Sequence, residues 1–198
     1  MSIFSRAQYT TSAHELHERP PEVWSEVAFA GRSNAGKSSA INALTHRKRL
    51  AFVSKTPGRT QMINFFDCGP NRRLVDLPGY GYAAVPQKER AHWGMLVGAY
   101  LQSRASLRGL VIIVDSRRPL TPLDRQLLEW HAPSGQPVLV LLTKSDKLGR
   151  SEAAKSLKAA KEALPKLHPA ATAELFSAVD GSGQRHAQGL IGAWLTSA

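Results

Sequence analysis

Apolar positions along the chain fall into short continuous runs separated by longer mixed stretches. Val27 to Ala30 is one such run and stops at Gly31. Met62 to Phe66 is rich in aromatic and β-branched residues, and Arg73 to Val75 is a shorter run leading into Asp76. Leu110 to Val114 and Val138 to Leu142 are apolar throughout, as strands buried on both faces are. Glu174 to Phe176 is the last strand expected. Between these runs the pattern turns helical at Lys37 to Leu44, Gln87 to Arg104, Pro122 to His131 and Ser151 to Leu164, with Leu190 to Leu195 inside a C-terminal helix. Pro122 suits a first helical turn, and Pro165 is expected to stop the helix before it. Gly181 to His186 is a glycine-rich approach to the final helix whose path the sequence leaves open.

Strands that alternate with helices predict βαβ units and an α/β fold. The expectation is a three-layer domain of the P-loop NTPase type, with a mainly parallel sheet of about six strands and helices on both faces. Residues 1–22 are polar, close on Pro20-Pro21, and read as an N-terminal arm. Residues 23–198 then form a single nucleotide-binding domain. In open sheets of this kind ligands sit beyond the carboxyl ends of the strands, and the polar motifs of this chain fall there.

Residues 31–38 read Gly31-Arg32-Ser33-Asn34-Ala35-Gly36-Lys37-Ser38, the pattern GxxxxGK[ST] between a strand and a helix. Successive backbone N–H groups of such a loop point inward around a phosphate, and the helix N-terminus adds partial positive charge. Lys37 places an ammonium on the β- and γ-phosphates, and Ser38 offers its hydroxyl to Mg²⁺. Asp76-Leu77-Pro78-Gly79 supplies an acidic residue at a strand end, placed to hold Mg²⁺ through water, and a glycine N–H for the γ-phosphate. Between the two motifs, Arg47 to Gln61 holds five basic residues, no acidic ones, and Pro57-Gly58. A threonine of this loop, Thr60 or alternatively Thr56, completes the metal shell when the γ-phosphate is present.

Thr143-Lys144-Ser145-Asp146 follows the strand Val138 to Leu142 and chooses the base. The Asp146 carboxylate matches guanine N1–H and the 2-amino group, and adenine would leave it unpaired. The stem of Lys144 can lie over the base plane. Phe176-Ser177-Ala178 follows the last strand, with the Ala178 N–H directed to guanine O6.

The spellings GRSNAGKSS, KTPGRTQMINFF, VDLPGYGYA, TKSD and FSA, in this order, resemble the EngB (YihA/YsxC) family of translation-factor-related bacterial GTPases over residues 22–198. The resemblance implies nucleotide contacts from Gly31 to Ser38, from Gly58, Arg59, Thr60, Gln61 and Met62, from Asp76, Leu77, Pro78 and Gly79, and from Thr143, Lys144, Ser145, Asp146, Phe176, Ser177 and Ala178. It implies Mg²⁺ ligands Ser38, Thr60 and Asp76, and catalytic roles for Lys37, Thr60 and Gly79. It also implies GTP hydrolysis, action in large ribosomal subunit assembly, and a need for the protein in normal cell division and septation. One departure matters for the chemistry. Where many small GTPases have a water-orienting Gln after the DxxG glycine, this chain has Tyr80. Slow intrinsic turnover is therefore expected, helped by a partner, another residue or a cation; Asn34 is the candidate ligand for K⁺.

Composition narrows the partners. Lys and Arg total 26 against 15 Asp and Glu, a net charge of +11 over 198 residues. Such an excess suits a polyanion. Ribosomal RNA is the favoured one, with Arg47 to Arg59 and the run Lys144, Lys147, Arg150, Lys155, Lys158, Lys161, Lys166 as candidate phosphate contacts. The second run reads somewhat better as a solvated helix face. The competing function is a GTP-dependent scaffold that binds division proteins or an anionic surface. An ATP-dependent kinase is disfavoured by TKSD. No run approaches the ~20 apolar residues of a membrane span, and the single cysteine, Cys68, permits no intrachain disulfide. The expectation is a cytoplasmic monomer.

Overall fold

The computed structural model describes residues 3–51, 62–81 and 87–197, those of 87–93 by backbone alone. Seven strands form one sheet in the order β1-β3-β4-β2-β5-β6-β7. They are β1 (Gln8–Ala13), β2 (Ser25–Gly31), β3 (Ile63–Asp67), β4 (Arg72–Asp76), β5 (Leu107–Asp115), β6 (Val138–Thr143) and β7 (Ala171–Leu175). Strand β3 runs antiparallel to both of its neighbours, and the five strands β4-β2-β5-β6-β7 are parallel. Among the described residues five α-helices accompany them: α1 (Lys37–Thr45), α2 (Gln87–Ser103), α3 (Pro122–His131), α4 (Arg150–Leu167) and α5 (Gln184–Thr196).

The period of two along each buried strand sorts its residues between two apolar layers. Ala28, Ala30, Leu110, Ile112, Val114, Val140 and Leu142 face Leu96 and Tyr100 of α2, Leu128 of α3 and Leu164 of α4. Their neighbours Val27, Phe29, Val111, Ile113, Leu139 and Leu141 face Ile41 and Leu44 of α1 and Ile191 and Leu195 of α5, together with Phe4. The five apolar residues of β6 and the run in β5 are thus buried on both sides, the reason they read as continuous apolar sequence.

Four details depart from the expected pattern. Residues 8–13, within the polar arm, make β1 on the sheet edge; the strand is mostly solvent-facing, so its sequence shows no apolar alternation. This brings the sheet to seven strands rather than about six. Helix α4 passes through Pro165 to Leu167 instead of stopping before it. Pro165 lies in the last turn, where its missing N–H removes one terminal bond. Burial of Leu164 and Leu167 holds the turn, and the His168 N–H closes it on the Leu164 carbonyl at 2.8 Å. Strand β7 occupies Ala171–Leu175 rather than Glu174 to Phe176, because pairing along β6 from Val138↔Ala171 to Leu142↔Leu175 dictates it more than the weak strand preference of alanine. Lastly, the glycine-rich approach to α5 has a defined path. Gly183 sits at φ +73°, and a Cβ there would lie 2.0 Å from the Leu175 carbonyl oxygen, so only glycine fits.

At the amino end of the parallel strands, far from the motifs, Glu26 is fully buried. It accepts hydrogen bonds from Tyr100 (2.7 Å) and from Arg104 Nε and Nη2 (2.8 and 2.6 Å). Arg73 adds an ion pair at 3.4 Å. A buried carboxylate satisfied by several donors fixes how β2, β4 and α2 meet at this end.

Candidate nucleotide site

The carboxyl ends of β2, β4, β5 and β6 converge on the loop Gly31 to Ser38. Gly36 stands at φ +102° as α1 begins, a left-handed turn that frees the loop backbone to curl ahead of the helix. Lys37 and Asp76, both buried, form an ion pair between Nζ and Oδ1. The pairing follows from sheet register: β4 lies parallel beside β2 with Asp76 opposite Phe29, which sets the carboxylate at the mouth of the loop.

Beyond Asp76 the chain stays against the phosphate loop. The Leu77 N–H donates to the Phe29 carbonyl at 3.0 Å, the Tyr80 N–H to Gly31 at 3.2 Å, and the Ser33 N–H to the Tyr80 carbonyl at 2.9 Å. Pro78 and Gly79 are buried beneath this zipper. A Cβ on Gly79 would lie 3.6 Å from both the Gly31 carbonyl oxygen and the Ser33 nitrogen, so the glycine brings its backbone close to the loop. The Tyr80 hydroxyl donates to Asp124 Oδ1 at 2.8 Å, while Asp124 Oδ2 accepts from the Thr121 N–H and hydroxyl at 2.8 and 2.6 Å. Burial, with the Asp124 charge beside it, pushes the Tyr80 phenol well above its usual range, so it stays protonated. Its donor capacity is committed to the start of α3.

The segment Thr143 to Asp146 is stapled to the same loop. Thr143 Oγ1 contacts the carbonyls of Ala35 and Val114 at 2.5 and 3.1 Å. Lys144 takes the left-handed conformation, φ +59°, at a cost of ~1 kcal/mol for a side chain with Cβ. Its ammonium donates to the Asn34 carbonyl at 2.7 Å and to Asp115 Oδ2 at 2.9 Å. Asp146 Oδ1 accepts from the Ser177 hydroxyl at 2.8 Å, and the Ser177 oxygen accepts the N–H groups of Val179 and Asp180. The Ser177 hydrogen bond, aided by Lys147, holds the Asp146 carboxyl below its usual range, so it is an ionised acceptor at neutral pH. The Ser145 N–H reaches the Phe176 carbonyl at 3.2 Å, which joins TKSD to FSA. Ala178 is exposed beside this junction.

The structure therefore brings together Gly31 to Ser38, Asp76 to Gly79, Thr143 to Asp146 and Phe176 to Ala178. Met62 precedes β3 and is half-buried. Gly58, Arg59, Thr60 and Gln61, with the competing Thr56, lie outside the described residues. Sequence reasoning missed the anchors: Asp115 under Lys144, Asp124 and Thr121 under Tyr80, and the Ser177 side chain under Asp146. Asp115 was visible as the acidic end of an apolar strand, and Thr121 with Asp124 as a capping pattern before Pro122; neither signal names its partner. A cavity of about 420 Å³ opens between the loop residues Arg32, Ser33 and Asn34 and the segment Asp115, Arg117 and Thr121 after β5.

The donor set at the loop mouth suits a hard cation. Ser38 and Asp76 offer a hydroxyl and a carboxylate, the oxygen ligands that Mg²⁺ prefers, and Lys37 supplies the positive charge that a polyphosphate needs. The left-handed glycine, the buried lysine and the helix start suit an anion, and the ionised Asp146 can accept a pair of donors. Fold and site together define a P-loop GTPase, an enzyme that hydrolyses GTP.

Comparison with known proteins narrows the class. Residues 26–144 match the family described as "50S ribosome-binding GTPase". The chain is 51% identical over 195 residues to "Probable GTP-binding protein EngB" of Methylobacillus flagellatus, covering 98% of this chain and 94% of that one. It is 52% identical over 202 residues to the protein of the same name from Paraburkholderia phymatum, covering 98% and 92%. The chain belongs to the EngB family of GTP-binding proteins. Among solved structures, a crystal structure of a probable GTP-binding protein engB superposes with a TM-score of 0.67 at 22% identity, over 86% of this chain and 98% of that one. The structure of Era with MgGDPNP and nucleotides 1506–1542 of 16S ribosomal RNA gives 0.66 at 24% identity, over 88% and 57%. Both likenesses speak for the fold.

Proposed function

We propose that GTP lies across this groove with its phosphates in the loop Gly31 to Ser38 and its base between Lys144, Asp146 and the Ser177-Ala178 turn. The observation that supports this most is the Lys144 ammonium bonded to the phosphate-loop backbone. It sets the base-reading and phosphate-binding segments in one fixed relation. In this reading Asp146 accepts guanine N1–H and the 2-amino group, and Lys37 neutralises the β- and γ-phosphates. Mg²⁺ would be held by Ser38 and Asp76, with Thr60 completing the set, and would withdraw charge from the phosphate oxygens. The Gly79 N–H senses the γ-phosphate, and its close packing on Ser33 gives that contact a short path into the phosphate loop. Tyr80 orients no water, because its hydroxyl serves Asp124, so intrinsic turnover is slow.

The biological role we assign is a GTP-gated switch in large ribosomal subunit assembly, in the cytoplasm, needed for normal cell division and septation. The family description, the ribosomal RNA bound to Era and the net charge of +11 support this reading. Lys144 drops out of the proposed RNA contacts, since Asn34 and Asp115 hold its ammonium. No described helix is long and apolar enough to cross a membrane. Sedimentation with ribosomal subunits in GDP and in a non-hydrolysable GTP analogue tests the role. Binding to the large subunit with the analogue alone, weakened steeply by salt, is expected. Failure to co-sediment with either nucleotide would favour the scaffold alternative.

A further inference from the structure

Asp115 ends β5, and its sheet partner is Thr143, the last residue of β6. The register alone therefore sets the carboxylate beside the residue that follows, Lys144. Oδ2 accepts the Lys144 ammonium at 2.9 Å and Arg117 Nη2 at 2.6 Å; Oδ1 accepts Arg117 Nε at 2.9 Å and the Arg117 N–H at 3.1 Å. The Lys144 ammonium also reaches the Asn34 carbonyl of the phosphate loop. Lys144 thus bridges three segments, and its charge is balanced by a carboxylate on the strand between them. We propose that Asp115 is a positioning residue for nucleotide binding: it pins the Lys144 ammonium against the phosphate loop, so that the aliphatic stem is held in the single orientation that covers the base.

The division of labour around the carboxylate is asymmetric. Arg117 is half exposed, whereas Lys144 is more covered. Asp115 is itself half-buried, and that burial works against its ionisation. The hydrogen bonds from Arg117 and Lys144 outweigh it and hold the carboxyl well below its usual range. It is therefore a fixed negative charge at neutral pH. Arg117 binds the solvent side of the carboxylate, and its loss leaves the Asp115–Lys144 contact in place.

This inference rests on the guanine reading of TKSD, and the test separates the two. Dissociation of a fluorescent GDP analogue is followed by stopped flow in Asp115→Asn, Asp115→Glu, Arg117→Ala, Lys144→Ala and the Asp115→Asn/Lys144→Ala double variant. Release is expected to be about tenfold faster in Asp115→Asn, the loss of one charge-assisted hydrogen bond. It should be partly restored in Asp115→Glu and within about twofold of the parent in Arg117→Ala, an exposed ion pair. In the Lys144→Ala background Asp115→Asn should add nothing, a non-additivity that general destabilisation would not produce. Acceleration in Arg117→Ala equal to that in Asp115→Asn, or additive effects with Lys144→Ala, would overturn the proposal. Asp146→Asn is measured alongside with GDP and xanthosine diphosphate; an unchanged preference there contradicts the base reading itself, whatever Asp115 does.

Discussion

Replacing Tyr80 by Phe removes one hydroxyl and keeps the ring. In the folded protein that hydroxyl is one of three donors to Asp124, whose carboxylate is 1% exposed. The other two come from Thr121 and remain, so Asp124 loses a hydrogen bond to a charged acceptor without becoming an orphan. Such a bond contributes ~1.5–3 kcal/mol. For a domain of this length each kcal/mol shifts Tm by about 2–4 °C, so Tyr80→Phe should melt roughly 3–12 °C below the parent, read by circular dichroism without nucleotide. Single-turnover GTP hydrolysis, measured well below the melting range, should change by less than about threefold, because the phenol plays no part in transition-state stabilisation. A hydrolysis rate about a hundredfold lower with Tm unchanged would refute this reasoning and return Tyr80 to the chemistry.

Three further outcomes follow from named contacts. His131 and His168 are buried and stacked at 5.7 Å, and burial, with the His168 charge, pulls His131 down to about 4. The unfolded chain takes up that proton near pH 6.5 and the folded protein only near 4, so stability present above pH 6.5 is lost as pH falls between these values. His131→Leu should shrink the difference in Tm between pH 7.5 and pH 5; an unaltered difference counts against the pair as its source. Lys37→Ala leaves Asp76 buried without its partner and removes the phosphate ammonium, so GTP binding by calorimetry should vanish, and retained affinity would refute the phosphate assignment. Turnover should be faster in K⁺ than in Na⁺ if the Asn34 amide helps hold the cation. Asn34 also stands at φ +61°, a conformation Asn tolerates, and equal rates would leave loop shape as its whole role.

The sequence and the fold agree best where one physical cause acts alone. The buried strands β5 and β6 announce themselves because two apolar layers demand apolar residues at every position, and Pro122 marks the start of α3 because only a first turn accepts it. The GxxxxGK[ST] loop and TKSD stand out because each is a contiguous pattern beside a strand end. What escaped is what the sheet decides. The edge strand Gln8–Ala13 is polar because water covers it, and β7 is shaped by its partner rather than by its own residues. The partners Asp115 to Lys144, Asp124 to Tyr80 and Ser177 to Asp146 lie 29, 44 and 31 residues apart, and only register and loop geometry bring them together.

In the function proposed above, this groove reads guanine through the Asp146 carboxylate. Asp146→Asn replaces an acceptor with an amide that matches the 2-oxo group of xanthine rather than the 2-amino group of guanine. Competition between GTP and XTP for the purified variant is the direct measurement. Preference should move from GTP toward XTP; GTP selectivity equal to that of the parent would contradict guanine reading by Asp146.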